Sequence, residues 1–203
     1  MAGRILVVAS RNPGKVREIR GLLSDLDIEI LSLADFPGVR SPVESGSTFE
    51  ENAAIKAKHA ALATGYPCVA DDSGLEVEAL GGLPGVRSAR FAGDGATDEE
   101  NNGKLLALMR GLPPARRSAR FKCAVAIGSP AGYVETVVGV CEGIIAEEPR
   151  GSLGFGYDPV FVVPHLGKTF AELDTSEKND LSHRGKALRA ARPLIVRMLG
   201  VGG

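Results

Sequence analysis

The chain has 203 residues, 44% of them hydrophobic, enough for a single domain to enclose a core. A formal net charge of -1 gives no general attraction to nucleic-acid polymers or anionic membranes, so any anion must be held by local charge. No stretch approaches the roughly 18 apolar residues that span a bilayer, and the chain leads directly into Arg4-Ile5-Leu6-Val7-Val8-Ala9, so a cytoplasmic protein without a leader is expected. Cys68, Cys123 and Cys141 sit in apolar runs without paired spacing, as buried free thiols in a reducing compartment do.

Arg4 to Ala9 reads as a strand running into Ser10-Arg11-Asn12-Pro13-Gly14-Lys15, after which apolar residues recur at helical spacing from Val16 through Ile19, Leu22 and Leu23 to Leu26. Asn12 is a good N-cap and Pro13 suits the first helical position, so this loop ends where free backbone N–H groups and a positive helix end converge, a place for an anion. Thr48-Phe49-Glu50-Glu51 has the capping-box pattern and opens a second helix to about Ala63, stopped by Thr64-Gly65-Tyr66-Pro67. A short strand from Pro67 ends in Asp71-Asp72 and a tight turn at Ser73-Gly74. Leu75 to Leu80 alternates apolar and acidic residues, Gly81-Gly82-Leu83-Pro84-Gly85 is a turn, and a third helix spans about Thr97 to Met109.

From about Ala119 strands take over: Phe121 to Ile127, a turn at Gly128 to Gly132, then Tyr133 to Ile145, together a long hairpin. A further strand covers Val160 to Val163. A last helix runs from Ser182 or Gly185 to Leu199, with Pro193 placed to kink it. Strands alternating with helices, plus a strand-rich insertion, predict an α/β protein: an elongated mixed sheet flanked by helices, with two lobes around a cleft. It is read as one domain, 1–203, with a strand-rich second lobe at about 118–165.

Side chains alternate along a strand, so Asp71 and Asp72 point to opposite sides, and one is chemical while the other is structural. The first loop is no nucleotide P-loop, because Ala9 and Val16 stand where that motif has Gly and Ser or Thr, and no Gly-x-Gly-x-x-Gly follows the strand. What remains there is a hydroxyl (Ser10), an amide (Asn12) and an ammonium (Lys15), enough to hold a phosphate. By themselves Lys178, Ser182, His183 and Arg184 near a helix start read as a solvated face with a structural histidine, with a functional cluster as the alternative. Phe155-Gly156-Tyr157-Asp158-Pro159 is either a plain turn or a loop that lets a flat ring approach closely.

Taken in order, Ser10-x-Asn12-x-x-Lys15, Ala70-Asp71-Asp72-Ser73-Gly74, Gly81-Gly82-Leu83-Pro84-Gly85 with Ser88-Ala89-Arg90, Phe155-Gly156-Tyr157-Asp158-Pro159, Glu177-Lys178-Asn179 and Ser182-His183-Arg184 resemble the noncanonical purine nucleoside triphosphate pyrophosphatases, the inosine/xanthosine triphosphate pyrophosphatase family. The resemblance runs from about Arg4 to Leu199. Ser10 stands where the family commonly has Thr, and Leu153 where a second glycine is common. The resemblance implies a nucleotide-binding cleft, hydrolysis of ITP, dITP and XTP to the monophosphate and pyrophosphate with Mg²⁺, a cytoplasmic house-cleaning role, and a homodimer. From the net charge and the lack of a spanning apolar stretch, no nucleic-acid polymer and no membrane is expected as partner.

Carried over by position, Ser10, Arg11, Asn12, Pro13, Gly14 and Lys15 contact the triphosphate. Asp72 is proton acceptor and metal ligand, and Ser73 a substrate contact. Phe155, Gly156, Tyr157, Asp158, Lys178, His183 and Arg184 bind nucleotide, with Phe155 stacked on the purine. Glu44 matches best as second metal carboxylate, with Glu51 as runner-up. A donor on His183 or Arg184, or a backbone N–H near Tyr157, could select the 6-oxo group. Rival readings are a related pyrophosphatase with a different base preference and a non-hydrolytic purine nucleotide sensor, which the carboxylate of Asp72 disfavours. A serine hydrolase using Ser73 and His183 lacks the Gly-x-Ser-x-Gly elbow.

Overall fold

A computed structural model of the protein describes residues 4–200. The elements are β1 (Ile5–Val8), α1 (Pro13–Leu22), β2 (Glu29–Ser32), α2 (Phe49–Thr64), β3 (Cys68–Val77), α3 (Asp98–Leu108), β4 (Ser118–Gly128), β5 (Val134–Ile145), β6 (Phe161–Val163), β7 (Lys168–Thr169), α4 (Thr175–Leu181) and α5 (His183–Leu199). They form an α/β fold around a seven-stranded sheet of order β2-β1-β3-β4-β5-β6-β7. The sheet is mixed as expected, with β1 parallel to both β2 and β3, and β6 antiparallel to both β5 and β7.

The chain divides into two compact units. The first comprises residues up to Asp72, Cys123–Gly139 and those from Arg184 onward; the second comprises Ser73–Lys122 and Val140–His183. In the first unit, Leu6, Val8, Val69, Val125 and Ile127 of the sheet pack with Val16, Ile19 and Leu23 from the α1 region and with Ala187, Leu188, Ala191 and Ile195 of α5. The helical apolar spacing that announced α1 is the face it buries. The second unit has its own core, in which Leu75, Val77, Phe121, Cys141 and Phe161 pack with Leu105 and Met109 near α3 and with Tyr157, Phe170 and Leu173.

Local signals placed most boundaries. Thr48 caps α2 with Glu51 completing the box, and Thr97 does the same for α3 with Glu100. β4 and β5 meet at the turn Ser129–Tyr133, closed by the Ser129 N–H donating to the Tyr133 carbonyl at 2.9 Å. α5 starts at His183 and is helical through Pro193.

Two expectations are corrected, and three elements, β2, β7 and α4, lie outside every expectation. The strand does not stop at a Ser73-Gly74 turn: β3 continues through Ser73, Gly74 and Leu75 to Val77, because Leu75 and Val77 are wholly buried and draw the chain on through the second unit's core. α1 ends at Leu22 rather than Leu26. β2 is only four residues with an exposed start, and α4 is too short for a helical apolar period.

Candidate active site

In the first unit, chemistry gathers around β3. Val69 packs with α1 and α5, so Asp71, two residues on, shares that face; Asp72 takes the other and meets Lys56 of α2. Asp71 is ion-paired with Lys15 Nζ at 3.0 Å and with Arg184 Nη2 at 3.1 Å. Arg184 also pairs with Glu18 of α1. Burial by itself would raise the Asp71 carboxyl, but the charges of Lys15, Arg184 and Lys56 outweigh it and hold that carboxyl well below the usual carboxylate range.

Asp72 is in a different state. Its Oδ1 accepts from Lys56 Nζ at 2.7 Å, and the same ammonium lies 3.5 Å from Glu44 Oε1. Burial pushes the Asp72 carboxyl up and Glu44 adds to the rise, against the opposing pull of Lys56 and Lys15. Lys56, although desolvated, is held charged by Asp72, Asp71 and Glu44. Glu44 and Glu51 part company here: Glu51 Oε2 accepts from the N–H and hydroxyl of Ser47 and the N–H of Thr48, and so is committed to capping α2.

The loop before α1 keeps its polar groups but spends its amides. Asn12 Oδ1 accepts from Gly14 N–H at 2.8 Å and Lys15 N–H at 3.2 Å, the Asn12 carbonyl takes Val16 N–H, and Ser10 Oγ accepts from Asn12 N–H. Pro13 has no N–H to offer. The free first-turn amides expected for an anion are therefore already used, and what the loop can still present is the Ser10 O–H, the Asn12 side-chain amide and the Lys15 ammonium. Arg11 turns away to donate to the carbonyls of Leu33, Phe36 and Val39.

The second unit holds the aromatic loop. Asp158, buried, accepts at Oδ2 from Phe155 N–H at 2.9 Å and from Lys178 Nζ at 2.6 Å, and that ammonium lies 4.8 Å from the centre of the Phe155 ring. Gly154 has φ +79°, and a Cβ there would sit 2.1 Å from Asp158 Oδ2. Tyr157 is buried, and its hydroxyl donates to Ser88 O at 2.9 Å. Burial, with Asp98 nearby, raises that phenol. His183 is also buried, its ring stacked on Phe121 with centroids 4.5 Å apart and planes 10° from parallel. Ser73 is partly exposed on β3.

Sequence reasoning missed Lys56, Glu18, Asp98 and Asn102. Lys56 lies in an alanine-rich helix whose signal was only helical, and nothing local marks the sixteenth residue before Asp72 as its counter-ion. No group of three or more His, Cys, Asp or Glu side chains is arranged to hold a metal among the described residues. No helix among them is long and apolar enough to cross a membrane.

A mixed α/β sheet carrying a carboxylate–lysine site and a glycine-aromatic loop defines a class, and comparison with known proteins gives its family. The Ham1 family model matches residues 6–194. The chain belongs to the Ham1 family. It is 51% identical over 193 residues to the dITP/XTP pyrophosphatase of Desulforamulus reducens, covering 95% of this chain and 96% of that one. It is 54% identical to the dITP/XTP pyrophosphatase of Thermus thermophilus, covering 94% and 91%. The solved structure of a HAM1 protein from Coxiella burnetii, 46% identical, superposes with a TM-score of 0.85 over 95% of this chain and 98% of the other.

Proposed function

We propose that this protein hydrolyses noncanonical purine nucleoside triphosphates, ITP, dITP and XTP, to the nucleoside monophosphate and pyrophosphate, and so removes them from the nucleotide pool. The observation that carries the reading is the division of labour on β3. Asp71 is locked as a counter-ion, while Asp72 keeps a partly buried, raised carboxyl beside Lys56 and Glu44. The names of relatives at about half identity support the same activity.

In this mechanism Lys15, Ser10 and Asn12 hold the triphosphate. Asp72 accepts the proton of the attacking water as its oxygen bonds the α phosphorus, and the bond from that phosphorus to the α–β bridging oxygen breaks, releasing pyrophosphate. Lys56 supports the ionised state of Asp72 and offsets phosphate charge. Phe155 offers a face to the purine, and Lys178, fixed by Asp158, adds a charge beside it.

Asp72 and Glu44 suit Mg²⁺, which is bound through one or two carboxylates together with substrate phosphates, and the family resemblance implies that ion. When bound it would neutralise phosphate charge and acidify the attacking water. The same resemblance implies a dimer in the cytoplasm, which light scattering and fractionation would test.

Pyrophosphate release should be measured from ITP, dITP, XTP, dGTP and dATP, with Mg²⁺ and with chelator, for wild type and Asp72→Asn. The expected result is metal-dependent release from the first three, reduced on the order of 10²-fold or more in the variant. Release of orthophosphate, or binding without turnover, would overturn the proposal.

A further inference from the structure

Gly156 sits at the centre of the aromatic loop, and both of its backbone polar groups are held by one turn of α3. The Gly156 N–H donates to Asp98 Oδ2 at 2.6 Å, and the Gly156 carbonyl accepts from Asn102 Nδ2 at 2.9 Å. Asp98 and Asn102 are four residues apart and so lie on one helical face. They reach the same residue, 58 and 54 positions further along the chain. Asn102 is buried, whereas Asp98 is exposed.

The adjacent Asn101 serves the same region from the other side, accepting from Ala92 N–H at 2.8 Å and donating to Ala89 O at 3.3 Å. That braces the 3-10 segment Gly85–Arg90, whose Ser88 carbonyl receives the Tyr157 hydroxyl. One short stretch of α3 therefore controls both sides of the loop.

A core contact would need only one such bond; this arrangement fixes two successive peptide planes. The plane between Phe155 and Gly156 carries the held N–H, and the plane between Gly156 and Tyr157 carries the held carbonyl. Gly156 has φ +64° and no atom within 4 Å of a Cβ position, so neither steric crowding nor side-chain packing sets its conformation. The two flanking planes aim the Phe155 side chain and the Tyr157 N–H. Because Phe155 N–H and Gly156 N–H are committed to Asp158 and Asp98, neither serves a base without giving up its bond.

We propose that Asp98 and Asn102 are positioning residues that set base affinity and base selectivity by clamping Gly156. The inference rests on the proposed pyrophosphatase reading. The clamp lies in the second unit, whereas Asp72, Lys56 and Lys15 lie in the first, so loss of the clamp acts on KM and on the choice of base and leaves kcat in place. A loop held to a fraction of an ångström discriminates between a 6-oxo and a 6-amino purine; a loop free to pivot does not.

The test is steady-state pyrophosphate release from dITP and dATP by wild type, Asn102→Ala, Asp98→Ala and Asp98→Asn, with thermal midpoints measured in parallel. Losing one hydrogen bond at the buried Asn102 should raise KM for dITP about tenfold, with kcat within about twofold. The exposed Asp98→Ala should raise KM several-fold, and both alanine variants should lower the dITP-to-dATP ratio of kcat/KM. Asp98→Asn, which keeps an acceptor, should stay within about threefold of wild type. If Asn102→Ala fails to fold, the isosteric Asn102→Asp, which cannot donate to the carbonyl, should show the same KM and selectivity loss. Unchanged KM and base ratio in the folded variants, or kcat falling in step with the thermal midpoint for both substrates, would overturn the clamp. Absence of pyrophosphate release by wild type would instead overturn the underlying function.

Discussion

Asp71 and Asp72 share a sequence context and have opposite surroundings, and the period of two along a strand separates them. Asp71 belongs to a buried ion cluster with Lys15, Arg184 and Glu18. Removing Arg184 takes its guanidinium from both Asp71 and Glu18 in the first unit's interior while Lys15 stays with Asp71, so Arg184→Met should lower unfolding free energy by about 3–5 kcal/mol, read from urea titration. Because the Asp71 carboxyl titrates far below its unfolded value of 3.8, its contribution is present above that pH and is lost as pH falls beneath it. Stability of the wild type should therefore drop steeply below about pH 4, and Arg184→Met should show a shallower slope. Lys56 acts on the other face. It pulls the Asp72 carboxyl down against burial, so Lys56→Met should move the acidic limb of the kcat/KM profile to higher pH, because Asp72 must be ionised to accept a proton. An acidic limb that stays put in Lys56→Met would remove Asp72 as the titrating base.

Among the elements, those with end signals were legible and those without were not. Thr48 with its boxed Glu51 announced α2, the span of about Thr97 to Met109 matched α3 to within a residue, and the hairpin of β4 and β5 followed from its turn. The continuation of β3 past Asp72 was hidden, since Asp-Ser-Gly has turn chemistry and only the buried Leu75 and Val77 override it. The candidate site divides in the same way. Residues in contiguous motifs were readable, whereas Lys56, Asp98 and Asn102 act across tertiary contacts that no local pattern encodes. Two glycines test the packing of elements. A Cβ at Gly128 of β4 would meet the Ala57 carbonyl of α2 at 2.7 Å, so Gly128→Ala should cost about 1–3 kcal/mol of stability. Gly154→Ala should instead act on the loop, displacing Asp158 from Phe155 and Lys178 and raising KM for dITP more than it lowers the thermal midpoint.

For the whole molecule, the three thiols report on integrity. Cys68, Cys123 and Cys141 are all buried, and burial pushes Cys68 up to about 11 and Cys123 up to about 12. Native protein should react slowly with a thiol-directed maleimide at neutral pH, and all three cysteines should react together once denaturant unfolds it. Rapid labelling of Cys123 in the native state would show that the first unit's core opens locally. The division into two units, each assembled from separated stretches of chain, also bears on biosynthesis. Asp71 leaves the ribosome 113 residues before Arg184, and α5, which supplies Ala187, Leu188, Ala191 and Ile195 to the first unit's core, is made later still. A growing chain therefore carries Asp71 and Lys15 without the Arg184 guanidinium until α5 is made. A chain cut short before α5 lacks Arg184 and the helix face that completes the first unit's core, so it should be degraded rather than partly active.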